Sequence, residues 1–130
     1  MFSAPELRAR LSHFVRENAR PVRAAVAFRD ADEAALGQLA ADSQREAHEL
    51  LGNQIPETIM LAELARHAGA FASSSFGAGF GGSVWAAVRA VDAQRFGQEW
   101  VRAYQERMPH VGSVDWFVAR PGPAAMEIPL

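Results

Sequence analysis

The 130-residue sequence contains no cysteine. That absence removes disulfides, thiolate metal sites and cysteine nucleophiles together, and it suits a reducing cytoplasm. Long hydrophobic runs are missing too. None approaches the roughly 18 apolar residues of a membrane span, and the N-terminus has no apolar secretory core, so a cytoplasmic domain with no membrane attachment is expected. Nor is there an excess of one charge. With 13 basic and 15 acidic side chains, a net charge of −2 and arginines that are spread out, the chain carries no electrostatic footprint for nucleic acid. What it does have is 49% hydrophobic residues, in a length that fits one domain over residues 1–130 with a single core burying about two-thirds of the unfolded surface.

The first half reads as helix. From Pro5 to Phe28, Leu7, Leu11, Phe14, Val15, Val22 and Val26 recur mostly at three, four or seven residues, the spacing of one helix face, with Arg8, Arg16, Glu17 and Arg20 between them. Pro21 lacks the N–H of an uninterrupted helix, so it is expected to bend or divide this segment. In "RDADEAALGQLAADSQREAHELLG", Asp30 or Asp32 is placed to cap the start. Leu36, Leu39, Leu50 and Leu51 supply a buried side, and Gly52 fits a C-cap. "NQIPETIMLAELARHAG" repeats the pattern, with Pro56 near the first turn, Ile59, Leu61 and Leu64 apolar, and Gly69 as the stop.

After Gly69 the period changes. "AFASSSF" and "SVWAAVRAV" are short and rich in small, branched and aromatic residues, so they read as two strands around "GAGFGG". Glycine reaches positive φ and admits close approach, so Gly77, Gly79, Gly81 and Gly82 describe a tight loop. "DAQRFGQEWVRAYQERM" then reads as an amphipathic helix. Asp92 caps it, Phe96, Trp100, Val101 and Tyr104 lie on one side, and Pro109 ends it. A last strand, "VDWFVARP", precedes a Pro/Gly-rich tail with little regular structure. Helices followed by strands around one more helix predict an α+β fold: a helical array plus a small, mainly antiparallel sheet.

The residues offer few independent chemical sites. Gly77 to Gly82 matches GxGxxG, but a dinucleotide fingerprint opens a helix and this loop leads into a strand; a Walker A loop would end in Gly-Lys-Ser/Thr. Ser73, Ser74 and Ser75 have hydroxyls for phosphate oxygens, although such serines beside a turn are more often structural. His13, His48, His67 and His110 lack the paired spacing of a zinc site. Asp42 and Ser43 have no nucleophile elbow around them. Trp85, Trp100 and Trp116 read as core or interface anchors, because arginines do not interleave with them. Asn53 and Gln54, ahead of Pro56, either face a cleft or cap a helix. No catalytic residue and no metal ligand is assigned.

"FGAGFGGSVWAAV" resembles the third motif of the GHMP kinases, the small-molecule kinase family that includes galactokinase, in which a Gly-Ala/Gly-Gly-Phe-Gly-Gly loop precedes a strand. "HFVRENARPVRAAVAFRDADEAALGQLAADSQ" is similar to galactokinase helices with a Glu-Asn-X-Arg stretch, an Ala-Leu pair, a Gly and a Ser-His. "PET" and "FVARP" also match in order, so the likeness runs from about residue 10 to 121. Gln44 stands where galactokinases usually have His, and Ser74-Ser75-Phe76 where they have Arg-Met-Thr.

The resemblance implies a ferredoxin-like GHMP kinase C-terminal domain. It implies ATP and Mg²⁺, a sugar substrate, and an N-terminal partner half that carries the sugar-recognition segment, the Gly-Leu-Ser-Ser-Ser-Ala phosphate loop and the catalytic Asp with its Arg. By that resemblance Gly77, Ala78, Gly79, Phe80, Gly81 and Gly82 line the floor of the substrate and nucleotide cleft, and the isolated chain is inactive. The alternative is a non-catalytic module that keeps the fold and binds a small ligand or self-associates as a homo-oligomer.

Overall fold

A computed structural model describes residues 2–120 and 122. Helix α1 (Ala4–Arg29) starts from a reciprocal cap. The Ser3 N–H donates to the Glu6 carboxylate at 2.7 Å and the Ser3 hydroxyl oxygen accepts from the Glu6 N–H. Pro5 sits in the first turn, where a missing N–H removes no intrahelical bond. Pro21 does not divide α1, which runs through it. The proline deprives the Glu17 carbonyl of its helical donor, and the turn is tied from the side by the Arg20 guanidinium, which bridges Glu17 and Glu46.

Helix α2 (Glu33–Glu46) begins where the Asp32 carboxylate accepts from the Ala35 N–H at 2.9 Å. It continues into a π-helical turn over Ala47–Leu51, closed by Gly52 at φ +71° with its N–H on the Ala47 carbonyl. Helix α3 (Pro56–His67) stops just before Gly69. Strands β1 (Ala72–Phe76) and β2 (Ser83–Ala87) form an antiparallel hairpin with Ser74 opposite Trp85. Helix α4 (Ala93–Arg107) follows a short 3₁₀ turn. Asp92 occupies the cap position of α4 but caps no N–H, because its carboxylate is taken by Arg95 at 2.7 Å. The architecture is α+β, as expected from the sequence.

Two further expectations need correction. The strand expected over 114–121 does not form in residues 114–120, which pair with no other strand; Pro121 lies outside the described residues. Its Trp116 ring instead packs against Gly97 of α4. The Pro/Gly-rich tail also falls outside the described residues apart from Gly122.

The second correction concerns α1. Its apolar stripe is exposed, with Leu7, Leu11, Phe14, Val15, Val22 and Val26 between 44% and 72% accessible, while His13, Arg20 and Ala27 face inward. Periodicity marks a face of a helix without saying which face packs. Here the polar side of α1 is drawn onto α2 by ion pairs, and nothing among the described residues covers the apolar side.

The core forms where α3 and α4 lie on one face of the hairpin. Ala65, Ala70, Phe96 and Trp100 are buried together, and Leu61, Leu64, Val84, Ala86 and Val88 pack around them. Small residues on α3 let α4 approach: Ala62 and Ala65 are fully buried, and the Trp100 indole donates to the Leu61 carbonyl at 2.9 Å. Helix α2 approaches the hairpin at Gly37, where an added methyl would overlap the Phe71 carbonyl oxygen. Gly37→Ala should therefore cost about 1–3 kcal/mol in urea unfolding, although alanine is the better helix former by about 1 kcal/mol. A neutral or stabilising result would show that α2 can shift off the sheet. Among the described residues, no helix is long and apolar enough to cross a membrane.

Candidate functional site

Between β1 and β2 the chain turns through Gly77, Ala78, Gly79, Phe80, Gly81 and Gly82. Gly77, Gly79, Gly81 and Gly82 have φ of +87°, +90°, +123° and +96°, and Phe80 joins them at +59°. Such a run is accessible to glycine and costs a side-chain-bearing residue energy. What holds Phe80 there is visible. Its N–H donates to the Asn53 carbonyl at 2.6 Å, while Asn53 Nδ2 donates to the Ala78 carbonyl at 3.0 Å. Asn53 thus grips the loop from both of its polar ends.

The glycines divide by role. A methyl on Gly79 would overlap the Asn53 backbone, so this glycine exists for close packing. Around Gly77 and Gly82 there is open space within 4 Å. Those two serve the turn and leave the outer side of the loop accessible. Phe80 holds its ring in solvent, 73% exposed.

The grip on the loop extends into the fold through Gln44. This buried side chain donates to Gln54 Oε1 at 3.1 Å, and its own oxygen accepts from Ser74 Oγ at 3.2 Å and from the Ser75 N–H at 2.7 Å. Gln54 donates to Asn53 Oδ1 at 3.0 Å and accepts from Thr58 Oγ1 at 3.1 Å. A continuous set of amides therefore connects α2, β1, the start of α3 and the glycine loop. A lone Gln following a Ser gives no hint in the sequence that it will be buried; the separated polar residues Gln44, Asn53 and Thr58 become one network only through the fold.

A second polar cluster lies behind it. Arg20 Nη2 donates to Glu46 Oε2 at 2.5 Å, Arg16 reaches Glu46 Oε1 at 3.1 Å, and the Ser43 hydroxyl donates to Glu17 at 2.9 Å. Burial pushes the Glu46 carboxyl up, but the bonds from Arg20 and Arg16 outweigh it and hold the group below the usual carboxylate range. Glu17, Arg20 and Ser43 face a groove of about 330 Å³ between α1, α2 and the hairpin, which Ser74, Ser75 and Trp85 also line.

The remaining candidates disperse. Ser73 is fully buried and donates to the Trp85 carbonyl, so the serines of β1 are used within the fold. His67 bonds the Glu63 carbonyl, His110 lies 3.5 Å from Glu57, and His13 is buried against Phe14. Among the described residues, no cluster of three or more His, Asp or Glu side chains could hold a metal ion. Those residues do not fit Mg²⁺ on their own.

Comparison with known proteins agrees with the loop and its flanks. Residues 24–106 match the family described as GHMP kinases C terminal. The chain is 33% identical over 118 residues to the galactokinase of Thermococcus kodakarensis, covering 91% of this chain and 33% of that protein. It is 32% identical over 101 residues to the galactokinase of Roseiflexus sp., covering 77% of this chain and 26% of that protein. It thus spans about a third or less of the curated relatives it matches. With the family match covering more than half of its length and taking in α2, α3, the hairpin and the glycine loop, the chain belongs to the GHMP kinase C-terminal domain family.

Proposed function

We propose that this chain works as the C-terminal half of a galactokinase-like, ATP-dependent sugar kinase in the cytoplasm, active only with an N-terminal half. The observation that carries this reading is the glycine loop, fixed from behind by Asn53 and open on its outer side. In the reaction a bond forms between a sugar hydroxyl oxygen and the γ-phosphorus of ATP. The bond to the bridging β,γ-oxygen breaks, and the hydroxyl proton passes to a base in the other half. Mg²⁺ held by residues outside this chain would neutralise phosphate charge.

This chain contributes a wall. Residues 77–82 present backbone without bulky side chains, except Phe80, so reactants can approach closely. Their anchoring through Asn53, Gln54 and Gln44 fixes that wall before substrate arrives. A pinned loop loses little freedom on binding, which is the physical advantage of the network.

The test is reconstitution. The chain is mixed with the remainder of the Thermococcus kodakarensis galactokinase, from which the matched segment has been removed, and ATP-dependent phosphorylation of galactose and a panel of other sugars is measured. Turnover by the mixture, and by neither part alone, is expected. Co-purification without turnover on any sugar would contradict the reading.

A second reading has its own observation. The exposed apolar stripe on α1 resembles the contact face of a self-associating module, since such patches are usually covered. A dimer that buries α1 and excludes the kinase partner would favour it.

A further inference from the structure

The groove between α1, α2 and the hairpin has no part in the kinase reading, and its lining has a one-sided chemistry. Val84 and Ala86 pack toward the α3/α4 core, so the alternation of β2 turns Trp85 to the opposite face, where it walls a space of about 330 Å³. Phe28 of α1 and Leu36 and Leu39 of α2 complete an apolar lining. Trp85 and Phe28 bring aromatic rings from two different walls, and both are exposed. A cleft of this volume is within the range that holds a small molecule.

The polar end of the groove is made of groups that accept. The Ser43 hydroxyl gives its one proton to Glu17 Oε1 at 2.9 Å and the Ser74 hydroxyl gives its own to Gln44 Oε1 at 3.2 Å, so both serine oxygens keep only lone pairs for a newcomer. Ser75 spends its N–H on the same Gln44 oxygen, and its hydroxyl accepts as readily as it donates. Arg20, the cation on this wall, is turned onto the Glu17 and Glu46 carboxylates. Of those two, Glu46 is shut in, its side chain 8% exposed and also met by Arg16, whereas the Glu17 side chain is 39% exposed. Each Glu17 oxygen accepts one side-chain bond, from Ser43 or from Arg20, and a carboxylate oxygen has room for two. Open acceptors with few free protons beside them suit a ligand head that only donates.

We propose that the groove binds a primary ammonium carried on a short, flat apolar body, an arylalkylamine by class, with the ammonium on Glu17 and Ser43 and the body between Trp85 and Phe28. An ammonium has three donors and no acceptor, which matches the polar end atom for atom. The aromatic faces add to this, since a ring stacks on a flat body and its face attracts a cation. A carboxylate or phosphate head would instead meet Glu17 as a like charge. Residues 77–82 do not line the groove, so its occupancy does not depend on the two-part kinase reading.

Titration of the full chain with phenethylamine at neutral pH, followed through the indole N–H signals in proton–nitrogen correlation spectra, tests this. The chain has three tryptophans, and Trp85→Phe identifies the signal that belongs to Trp85. That signal should move saturably as the amine reaches about millimolar concentration. Phenylpropionate, with the same ring and the opposite charge, should bind at least about tenfold more weakly. Glu17→Gln keeps the side-chain volume and removes the charge, and should weaken the amine by about tenfold or more. Because Glu17 also pairs with Arg20, a second variant leaves both partners in place: Ala24→Phe fills the groove from α1, and should abolish the Trp85 shift while keeping the melting profile. The absence of a saturable Trp85 shift would overturn the proposal. So would equal affinity for phenylpropionate, which would reduce the site to an apolar groove, or a shift that survives either variant unchanged, which would place the amine elsewhere.

Discussion

Arg20→Met should lower the stability of the chain by about 3–5 kcal/mol, because it strands a buried carboxylate. Arg20 and Glu46 are 9% and 6% exposed, and their contact joins α1 to α2. Methionine fills most of the volume but offers Glu46 no charge. Arg16 remains 3.1 Å from Glu46, yet it is a largely exposed side chain and compensates only in part. Against a typical total of about 5–15 kcal/mol, this is a large loss, and guanidinium unfolding at neutral pH measures it. Replacing both residues, Arg20→Met with Glu46→Leu, should recover most of the stability, since an apolar pair avoids desolvating two ions.

The same pair sets a pH dependence. The Glu46 carboxyl titrates below its ordinary range in the folded chain, so the unfolded state binds a proton first. The stabilisation is present above the unfolded value of about 4.3 and is lost as the pH falls through the lower folded value. Wild type and Arg20→Met should therefore converge on acidification. A single-variant cost under about 1 kcal/mol, or a gap that ignores pH, would mean that water reaches this pair freely.

Gly79→Ala should be the most damaging change in the glycine loop, at about 2–4 kcal/mol. Two penalties coincide there. The backbone sits at φ +90°, and the new methyl would overlap the Asn53 backbone, which cannot rotate away as a side chain would. Gly77→Ala faces the same conformational cost at φ +87° with open space around it, and should lose only about 1–2 kcal/mol. Thermal melts of the two variants check the order. In the reconstituted kinase, Gly79→Ala should lose turnover well beyond its effect on folding, because relief of the clash requires the loop to leave Asn53. Equal effects at both positions would mean that the Asn53 grip is not what shapes the loop.

Much of this fold was legible because local chemistry and tertiary structure agree. Asp32, Gly52, Pro56 and Gly69 mark helix ends by backbone rules that hold regardless of surroundings. The hairpin was legible for the same reason, from small and branched residues flanking glycines. What misled was information carried by partners. The stripe from Leu7 to Val26 is a genuine helix face, but it faces out, because Arg20 pairs with a glutamate 26 positions later. Segment 114–120 has strand composition, but a strand is defined by its partner, and among the described residues none pairs with it. Of the site, the glycines were legible and their support was not. Nothing local marks Gln44 or Asn53, whose partners lie 31 and 25 residues away at Ser75 and Ala78.

The central claim is that residues 77–82 line the reactant cleft of a two-part kinase, and the absence of cysteine gives a direct probe. Ala78→Cys places a unique thiol of this chain on an exposed part of the loop. Its rate of modification by a maleimide, read on the loop peptide by mass spectrometry, is compared for the free chain, the mixture, and the mixture with Mg-ATP and galactose. The account predicts rapid labelling of the free chain and clear protection when both substrates are added to the mixture. Labelling at an unchanged rate in a mixture that is turning over sugar would contradict it, and would move the reactants away from the glycine loop.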